Sequence, residues 1–441
     1  MRSQESGSLA VMPILAAMAV GAVVGWLVGP TGRIGGVDVA PLFEFLGTLF
    51  INLLKMVVVP LVAASIITGV ASLGSGRDLG RLGLKTLLFY VVTTLLAILI
   101  ALTIVDVVRP GLVNGEPAKA LLALQAHTGD VTATVNARAS TGILDTLLSV
   151  VPSNIFEAAA GNKLLGVMFF SILFGFFLPR IEMPYRHVVL DFWQGVFRVM
   201  MRITGLVMAV APVGVFGLTA RVVAKSGLNA AGPLLKFAGC VLAGIAIYSV
   251  VVLPALMRLS GIARPLRLFS AMGPALLTAF STASSAAALP LSLECLEKRA
   301  RVSGRIAGFV MPLGTSINHV GTALYECVGA MFLCQAYGLQ LSFGAQFTVI
   351  ALALLTSMGI AGIPAAALVG IAVILAAVGL PPEGLGVLLV VERLLDMFRT
   401  ALNVFADAAC SVIVARLEGE KDVLGDVVEA PTATVSPSTE S

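Results

Sequence analysis

Between Val391 and Arg416 the sequence VERLLDMFRTALNVFADAACSVIVAR is apolar enough for a membrane helix, yet it carries Glu392, Asp396, Arg399, Thr400, Asn403 and Asp407. At ~100° per residue these six side chains fall within roughly a quarter of a helix circumference. The opposite face, with Leu394, Leu395, Leu402, Phe405 and Val412, is greasy. Charges at membrane depth cost several kcal/mol unless paired or wetted, so they are rare and usually functional. The polar face sets three carboxylates against one guanidinium. Its surplus negative charge needs a substrate amine, sodium ions or protons. An arginine beside aspartates also makes a good fork for a carboxylate. A structural polar seam between packed helices is the plainer reading, but a seam seldom needs four ionisable groups on one span.

The remainder of the chain supports a membrane setting. It has 441 residues, 58% of them hydrophobic and 12% charged, with mean hydropathy +1.01. Soluble domains are about a quarter charged, so this is an all-α polytopic membrane protein in its lipid bilayer. The net charge of +4 says little about partners, and nothing points to nucleic acid. Met1 to Ser8 is a short polar tail, and Leu9–Val28 is long enough to span, so a cleavable signal is not expected. Cys240, Cys295, Cys327, Cys334 and Cys410 lie in or beside apolar runs without CxxC spacing and read as small core residues. His127, His187 and His319 are scattered, which disfavours a histidine metal cluster.

Span one is Leu9–Val28 and span two about Phe43–Leu73, together residues 9–73; span three is Leu82–Val108. Residues 109–142, rich in Ala, Thr, Gly and Asn, read as a solvent-exposed loop. Spans four (about Ile143–Leu178, broken at Val151–Asn154 and near Gly161-Asn162) and five (about Val188–Val223) occupy residues 143–223. Span six is about Leu234–Leu259. Arg77, Arg81 and Lys85, Arg180 and Arg186, Arg258, Arg264 and Arg267, and Lys298 to Arg305 mark connections on one side. The positive-inside rule makes that side cytoplasmic, with both termini inside. Residues 417–441 are polar and Pro/Ser/Thr-bearing and read as a disordered tail.

Residues 234–416 do not read as simple spans. Pro265–Leu296 is broken at Ser281–Ser285 and has basic residues at both ends, the pattern of a re-entrant hairpin. Val302–Ala336 is interrupted at Gly314–Thr322, and Phe343–Leu380 at Ser357–Pro364, a second hairpin entering from the other side. Hairpin plus broken helix thus occurs twice in opposite senses, as in secondary transporters built from inverted repeats around a midplane site. Irregular backbone at that depth survives only inside protein or along a cavity. Its free N–H groups suit a carboxylate and its free carbonyls a bare cation.

Four motifs in order, SSAAALP, PLGTSINHVGTALYE, SMGIAGIPAA and DMFRTALNVFADAACSVIVA, resemble the dicarboxylate/amino acid:cation symporters, the family of glutamate transporter homologues and excitatory amino acid transporters. Weaker similarity runs through LLKMVVVPLVAASIITGVASL and VPSNIFEAAAGNKLLGVMFF, so the resemblance covers about Leu9–Arg416. It implies eight transmembrane helices plus two re-entrant hairpins in a homotrimer. Spans one, two, four and five would be a fixed scaffold, and the rest an elevator-type transport domain. On the same basis Arg399 aligns with the arginine that holds a side-chain carboxylate and Asp396 with the group that takes the α-amine. Thr322, Thr400, Asn403, Ser284 and Ser285 align with further substrate contacts. Asp407 with Gly314, Asn318 and Asn403 matches one sodium site, and Thr315 to Ile317 with Ser357, Met358 and Ile360 a second. Tyr90, Thr93, Thr94 and Asn318 match a third.

The sequence departs from that family at Asn318-His319-Val320-Gly321-Thr322, where relatives usually read Asn-Met-Asp-Gly-Thr. Val320 replaces the carboxylate of the third site, and hard cations favour charged oxygens, so this site is expected to be lost or weak. His319, with an ordinary pKa of about 6.5, and Glu326, which aligns with a glutamate tied to proton coupling, are candidate proton carriers. A hydrogen-bonded packing role for His319 is an equal alternative. Ala365, Ala366 and Ala367 stand where some relatives have glycines, and Ala283 where some place the binding arginine, a role that Arg399 takes here.

These residues predict a symporter importing aspartate or glutamate with sodium, protons or both. A C4-dicarboxylate symporter is the alternative, and an uncoupled exchanger or anion conductance the alternative of another class. An enzyme is not expected, because Ser284 and Ser285 have no His or Lys base near them in sequence, and hydroxyls at a hairpin tip bind more often than they attack.

Overall fold

The computed structural model describes residues 2–29, 33–34, 37–72, 77–122, 124, 151–160, 164–226, 231–359, 366–381 and 384–425. The first half contains α1 (Arg2–Val28), α2 (Ala40–Ser72), α3 (Arg77–Val108), α4 (Ile155–Ala160), α5 (Leu164–Phe177) and α6 (Tyr185–Ser226). Two short antiparallel ribbons interrupt it, β1 (Arg33–Ile34) with β2 (Val37–Asp38), and β3 (Leu112–Val113) with β4 (Glu116–Pro117). The second half contains α7 (Ala231–Ile247), α8 (Leu253–Leu259), α9 (Arg267–Thr282), α10 (Ser285–Lys298), α11 (Gly304–Ile317), α12 (Val320–Ala336), α13 (Phe343–Gly359), α14 (Ala366–Val378) and α15 (Leu385–Leu417).

Three described helices are long and apolar enough to cross a membrane, Leu82–Val108, Ala231–Leu259 and Leu385–Leu417. A fourth is added if Tyr185–Val207 and Ala209–Ala224, bent by 47°, form one span. Pro212 lies inside α6 just past this bend and lacks the N–H for the carbonyl one turn back. Between α7 and α8 the helix widens into a π turn at Tyr248–Val252, ahead of Pro254, which likewise has no N–H to give.

The helices pack in two groups. α6 lies along α1 and α2, and α5 along α2. The second group gathers α3, α7 and α9 to α15 around α12 and α15. Val320–Cys334 of α12 is buried without interruption, as is Leu402–Ala415 of α15. The apolar window of α15 is 83% buried, against 39% for the other two candidate spans. The most charged span is therefore the most interior one, which is what the cost of a charge facing lipid demands.

Two of the helix breaks have a local cause in the described residues. α9 and α10 pack on each other across Ala283 and Ser284. Ala283 is left-handed at φ 47°, ψ 42°, and Ser284 caps α10, its Oγ accepting from the Ala287 N–H at 3.3 Å. The predicted break at Ser281–Ser285 narrows to these two residues. The break predicted at Gly314–Thr322 narrows to Asn318 and His319, with non-helical ψ values of 89° and 62°. α13 and α14 also pack together; Ile360 and Ala365, named above, lie outside the described residues.

Both described ends of the chain differ from expectation, while residues 426–441 of the expected tail lie outside the described residues. α1 begins at Arg2, so the polar residues assigned to a tail are helical. After α15, residues 418–425 are not a loose tail: Val423 and Leu424 are buried and Leu424 N donates to the Ala300 carbonyl at 2.8 Å. Two apolar side chains in an otherwise polar segment supply the anchor that a composition argument averages away.

Candidate functional site

Two clusters of buried polar groups lie on α15. The first centres on Arg399, whose side chain is 3% exposed. Its Nη2 donates to Glu392 Oε1 at 2.9 Å and to Asp396 Oδ1 at 2.6 Å. The spacings of seven and three residues put both acids on the arginine's own helical face. The guanidinium carbon stands 4.6 Å from the ring centroid of Tyr325 on α12, a cation–π contact in a dry setting. Arg393 adds a longer contact to Asp396 at 3.4 Å. Arg399 Nη1 and Glu392 Oε2 have no partner among the described residues.

Thr322, Thr400 and His319 are all buried, Thr400 directly after Arg399 in α15. His319 occupies the α11–α12 break, within electrostatic reach of Arg399, and its Nδ1 has no partner among the described residues. Gly321, beside it, presses α12 against α15. A Cβ there would stand 2.7 Å from the Arg399 carbonyl oxygen and 3.1 Å from Asn403 Oδ1. The Gly321 N–H instead donates to Asn403 Oδ1 at 2.7 Å. Phe280, just before the α9–α10 turn, meets Phe398 edge-on at 4.9 Å between centroids. This brings the Ser284-Ser285 turn toward the level of Arg399, although neither serine bonds to the fork.

Glu326 is fully buried two turns into α12. It accepts a hydrogen bond from Thr356 of α13, and a Cβ on Gly370 of α14 would collide with its carboxyl group. Glu326 therefore sits where α12, α13 and α14 meet, within reach of the charges on Arg399 and Glu392. Its Oε1 has no partner among the described residues.

The second cluster centres on Asp407, two turns past Arg399. Asn318 Nδ2 donates to Asp407 Oδ1 at 2.8 Å, and Thr94 Oγ1 lies 3.4 Å from Asn318 Oδ1. Tyr90 donates to the Val310 carbonyl at 2.8 Å and lies over Gly314, where a Cβ would collide with both the Asp407 carboxylate and the tyrosine hydroxyl. Thr93 donates into its own helix, to the Phe89 carbonyl at 2.8 Å, while its own carbonyl accepts from Tyr248 at 3.1 Å. Val320 at the start of α12 is fully buried. Asp407 Oδ2 has no partner among the described residues. A buried carboxylate oxygen left open costs several kcal/mol, so a cation is the natural complement. The neutral oxygens of Asn318, Thr94 and Tyr90 beside it suit a hard one.

The candidates do not all converge. Thr315 Oγ1 donates to the Met311 carbonyl at 2.9 Å and Ser357 Oγ to the Leu354 carbonyl at 3.1 Å, each within its own helix. Met358 is half-buried. Sequence reasoning missed the partners that give the acids their setting. Glu392 was visible on the polar face but not as a ligand of Arg399. Tyr325, Thr356 and Gly370 carried no separable signal, each lying in an apolar helical run.

The model of the sodium:dicarboxylate symporter family matches residues 11–417. A proton/glutamate-aspartate symporter of Escherichia coli (strain K12) is 37% identical over 377 residues, 85% of each chain. A proton/sodium-glutamate symport protein of Bacillus subtilis (strain 168) is 33% identical over 401 residues, 91% of each chain. A C4-dicarboxylate transport protein of Anaeromyxobacter sp. (strain K) is 34% identical over 413 residues, covering 93% of this chain and 90% of that protein.

Proposed function

The chain belongs to the sodium:dicarboxylate symporter family, and we propose that it is a secondary active symporter importing an acidic amino acid, aspartate or glutamate, with sodium ions, protons or both. The family is one of transporters, not enzymes. The observation that carries the substrate class is the half-used Arg399 fork. Nη2 is tied to Glu392 and Asp396, and Nη1 is left without a partner among the described residues. The side-chain carboxylate of an acidic solute completes it. Asp396 takes the amine, and Ser284, Ser285, Thr322, Thr400 and Asn403 hold the remainder of the solute.

Sodium enters as a co-substrate at Asp407, supported by the open Oδ2, by Asn318 on Oδ1 and by Gly314 packed against the carboxylate, with Asn403 one helical turn earlier. Backbone from Thr315 to Ile317 with Ser357, Met358 and Ile360 supplies a second site. A third at Tyr90, Thr93, Thr94 and Asn318 is weakened, because Val320 offers no charge where a hard cation needs one. Glu326 and His319 carry protons in its place. The architecture behind this is eight spans with two re-entrant hairpins in inverted repeats. α1, α2, α5 and α6 form the scaffold, supported by their mutual packing, and α3 with α7 to α15 the moving domain. The assembly is a homotrimer of the cell membrane with both termini cytoplasmic.

Uptake of labelled aspartate into proteoliposomes, under a sodium gradient, a proton gradient, both or neither, tests this reading. We expect accumulation to need both gradients, and a Val320→Asp variant to depend more strongly on sodium; accumulation under a proton gradient without sodium would mean that Val320, His319 and Glu326 mark a switch of coupling ion. Sodium-only accumulation would return His319 to a packing role. One observation favours the C4-dicarboxylate alternative: Asp396 is already held by Arg399 and Arg393, so it can be neutralised without an amine. Succinate accumulating where aspartate does not would select that reading. Exchange without accumulation would select the uncoupled one.

A further inference from the structure

The base of the α9–α10 pair ends on a ledge of arginines outside both buried clusters of α15. Two cavities meet there. One, of about 490 Å³, is lined by Arg258, Arg264 and Arg267 together with Val250, Pro254 and Leu266. The other, of about 360 Å³, is lined by Arg267, Arg299 and Arg301 against Leu424 and Gly425. Arg267 belongs to both, and neither cavity is lined by a carboxylate. Arg301 is paired with Asp422 at 2.6 Å, and Arg267 donates to the Leu424 carbonyl at 3.2 Å. Arg258, Arg264 and Arg299 make no ion pair among the described residues.

Basic residues at the end of a span orient it without forming a pocket, so the charge alone would mean little. Here an open apolar wall rises from the same cavity. Val250 is 56% exposed and Leu266 59%, with Val251 and Leu259 exposed beside them. Eight residues of helix separate Val250 from Arg258, a rise of ~12 Å. That exceeds the ~5–8 Å headgroup layer on one side of a bilayer, so Val250 reaches acyl chains while Arg258 stays among phosphates.

We propose that this ledge binds an anionic phospholipid. Its phosphate sits on Arg258, Arg264 and Arg267, in the forked geometry that guanidinium groups offer phosphate, and its chains lie on Val250 and Leu266. Basic pockets between helices on the cytoplasmic side are a recurrent way to hold such headgroups. Arg299, across Arg267, gives a second phosphate a partner, so a two-phosphate lipid binds more tightly than a one-phosphate lipid. The inference rests on the proposed cytoplasmic placement of this end and not on the substrate assignment.

Native mass spectrometry of the full-length protein in detergent, offered phosphatidylglycerol, cardiolipin or phosphatidylcholine, tests it. Wild type should retain the two anionic lipids over phosphatidylcholine, and Arg258→Gln with Arg264→Gln should lower that retention on the order of tenfold. Arg299→Gln should remove only the preference for cardiolipin. Equal retention by wild type and the double variant would overturn the proposal. So would an equal loss in Arg180→Gln with Arg186→Gln, which removes the same charge elsewhere, because it would mean a diffuse surface field. Displacement of the lipid by millimolar inorganic phosphate would assign the arginines to a free anion and overturn it too. Unchanged melting in detergent checks that the variants are folded.

Discussion

At the scale of single residues the site is governed by one arginine with two acids. Arg399 is buried, so its partners do more than hold it still. Truncation to alanine leaves Glu392 and Asp396 as buried charges without their shared partner, a change that costs ~3–5 kcal/mol. Arg399→Ala should therefore lower the melting temperature as well as abolish transport, and adding Glu392→Gln should recover much of the stability but none of the transport. Arg399→Lys keeps the charge and loses the fork. Hydrogen bonds to charged groups contribute ~1.5–3 kcal/mol, so affinity for acidic solutes should fall by roughly tenfold to a hundredfold while melting changes little. Equal affinity in the lysine variant, by calorimetry, would show that Nη1 is not the substrate's partner. Glu326 separates in the same way. Thr356→Val removes the hydroxyl that Glu326 accepts from and should destabilise by ~1–3 kcal/mol. Glu326→Gln keeps the acceptor and the volume, so it should spare folding and remove only proton-driven uptake.

At the scale of elements, function depends on where helices stop and how closely they cross. Gly321 is the clearest case. A Cβ there would lie 2.7 Å from the Arg399 carbonyl oxygen, and backbone cannot swing aside as a side chain does. Gly321→Ala should push α12 off α15, cost ~1–3 kcal/mol of stability and impair binding. Gly308→Ala on α11, where nothing lies within 4 Å, should be neutral or stabilise by up to ~1 kcal/mol. A melting comparison of the two checks the argument; equal effects would mean that α12 can shift freely. The polar face of α15 and the regions of the α9–α10 and α11–α12 breaks were legible in the sequence, because charge in an apolar run and clusters of Ser, Gly and Asn are local signals; the bend in α6 and the π turn ahead of α8 were not read. Nor were the widths of the breaks. Gly314 and Gly321 looked like helix breakers yet lie inside helices, where they admit a neighbour: Asp407 with Tyr90 in one case, the Arg399 carbonyl in the other. Whether a glycine breaks a helix or lets another approach depends on the partner, which one sequence does not contain. For the same reason Thr356 and Gly370, the groups that surround Glu326, went unread.

At the scale of the whole molecule, the end of the chain fastens pieces that are far apart in sequence. Glu418 pairs with Lys85 of α3 at 2.6 Å, Glu420 accepts from the Ser303 N–H at 3.1 Å, and Asp422 pairs with Arg301 at 2.6 Å. Leu424 N bonds to Ala300, so residues 418–425 bridge α3, α15 and the segment between α10 and α11. The ion pairs are the conspicuous part but not the strong part. Exposed pairs contribute ~0–1 kcal/mol each and fade with salt. Arg301 and Asp422 are 58% and 49% exposed in their side chains, and Lys85 and Glu418 35% and 13%, so the second pair is partly buried and is the stronger of the two. Val423 and Leu424, at 1% and 4% exposure, belong to the class whose burial is worth ~1.5–3 kcal/mol apiece. The order of effects follows. Glu418→Gln should shift it slightly at low salt and not at ~1 M, where the screening length is ~3 Å. Leu424→Ala should cost more, ~2–4 kcal/mol, and should do so at any salt. A salt series of melting curves on these variants decides the matter. If Glu418→Gln costs more than Leu424→Ala, the bridge is electrostatic and buried carbon is not what holds the end of the chain to α3.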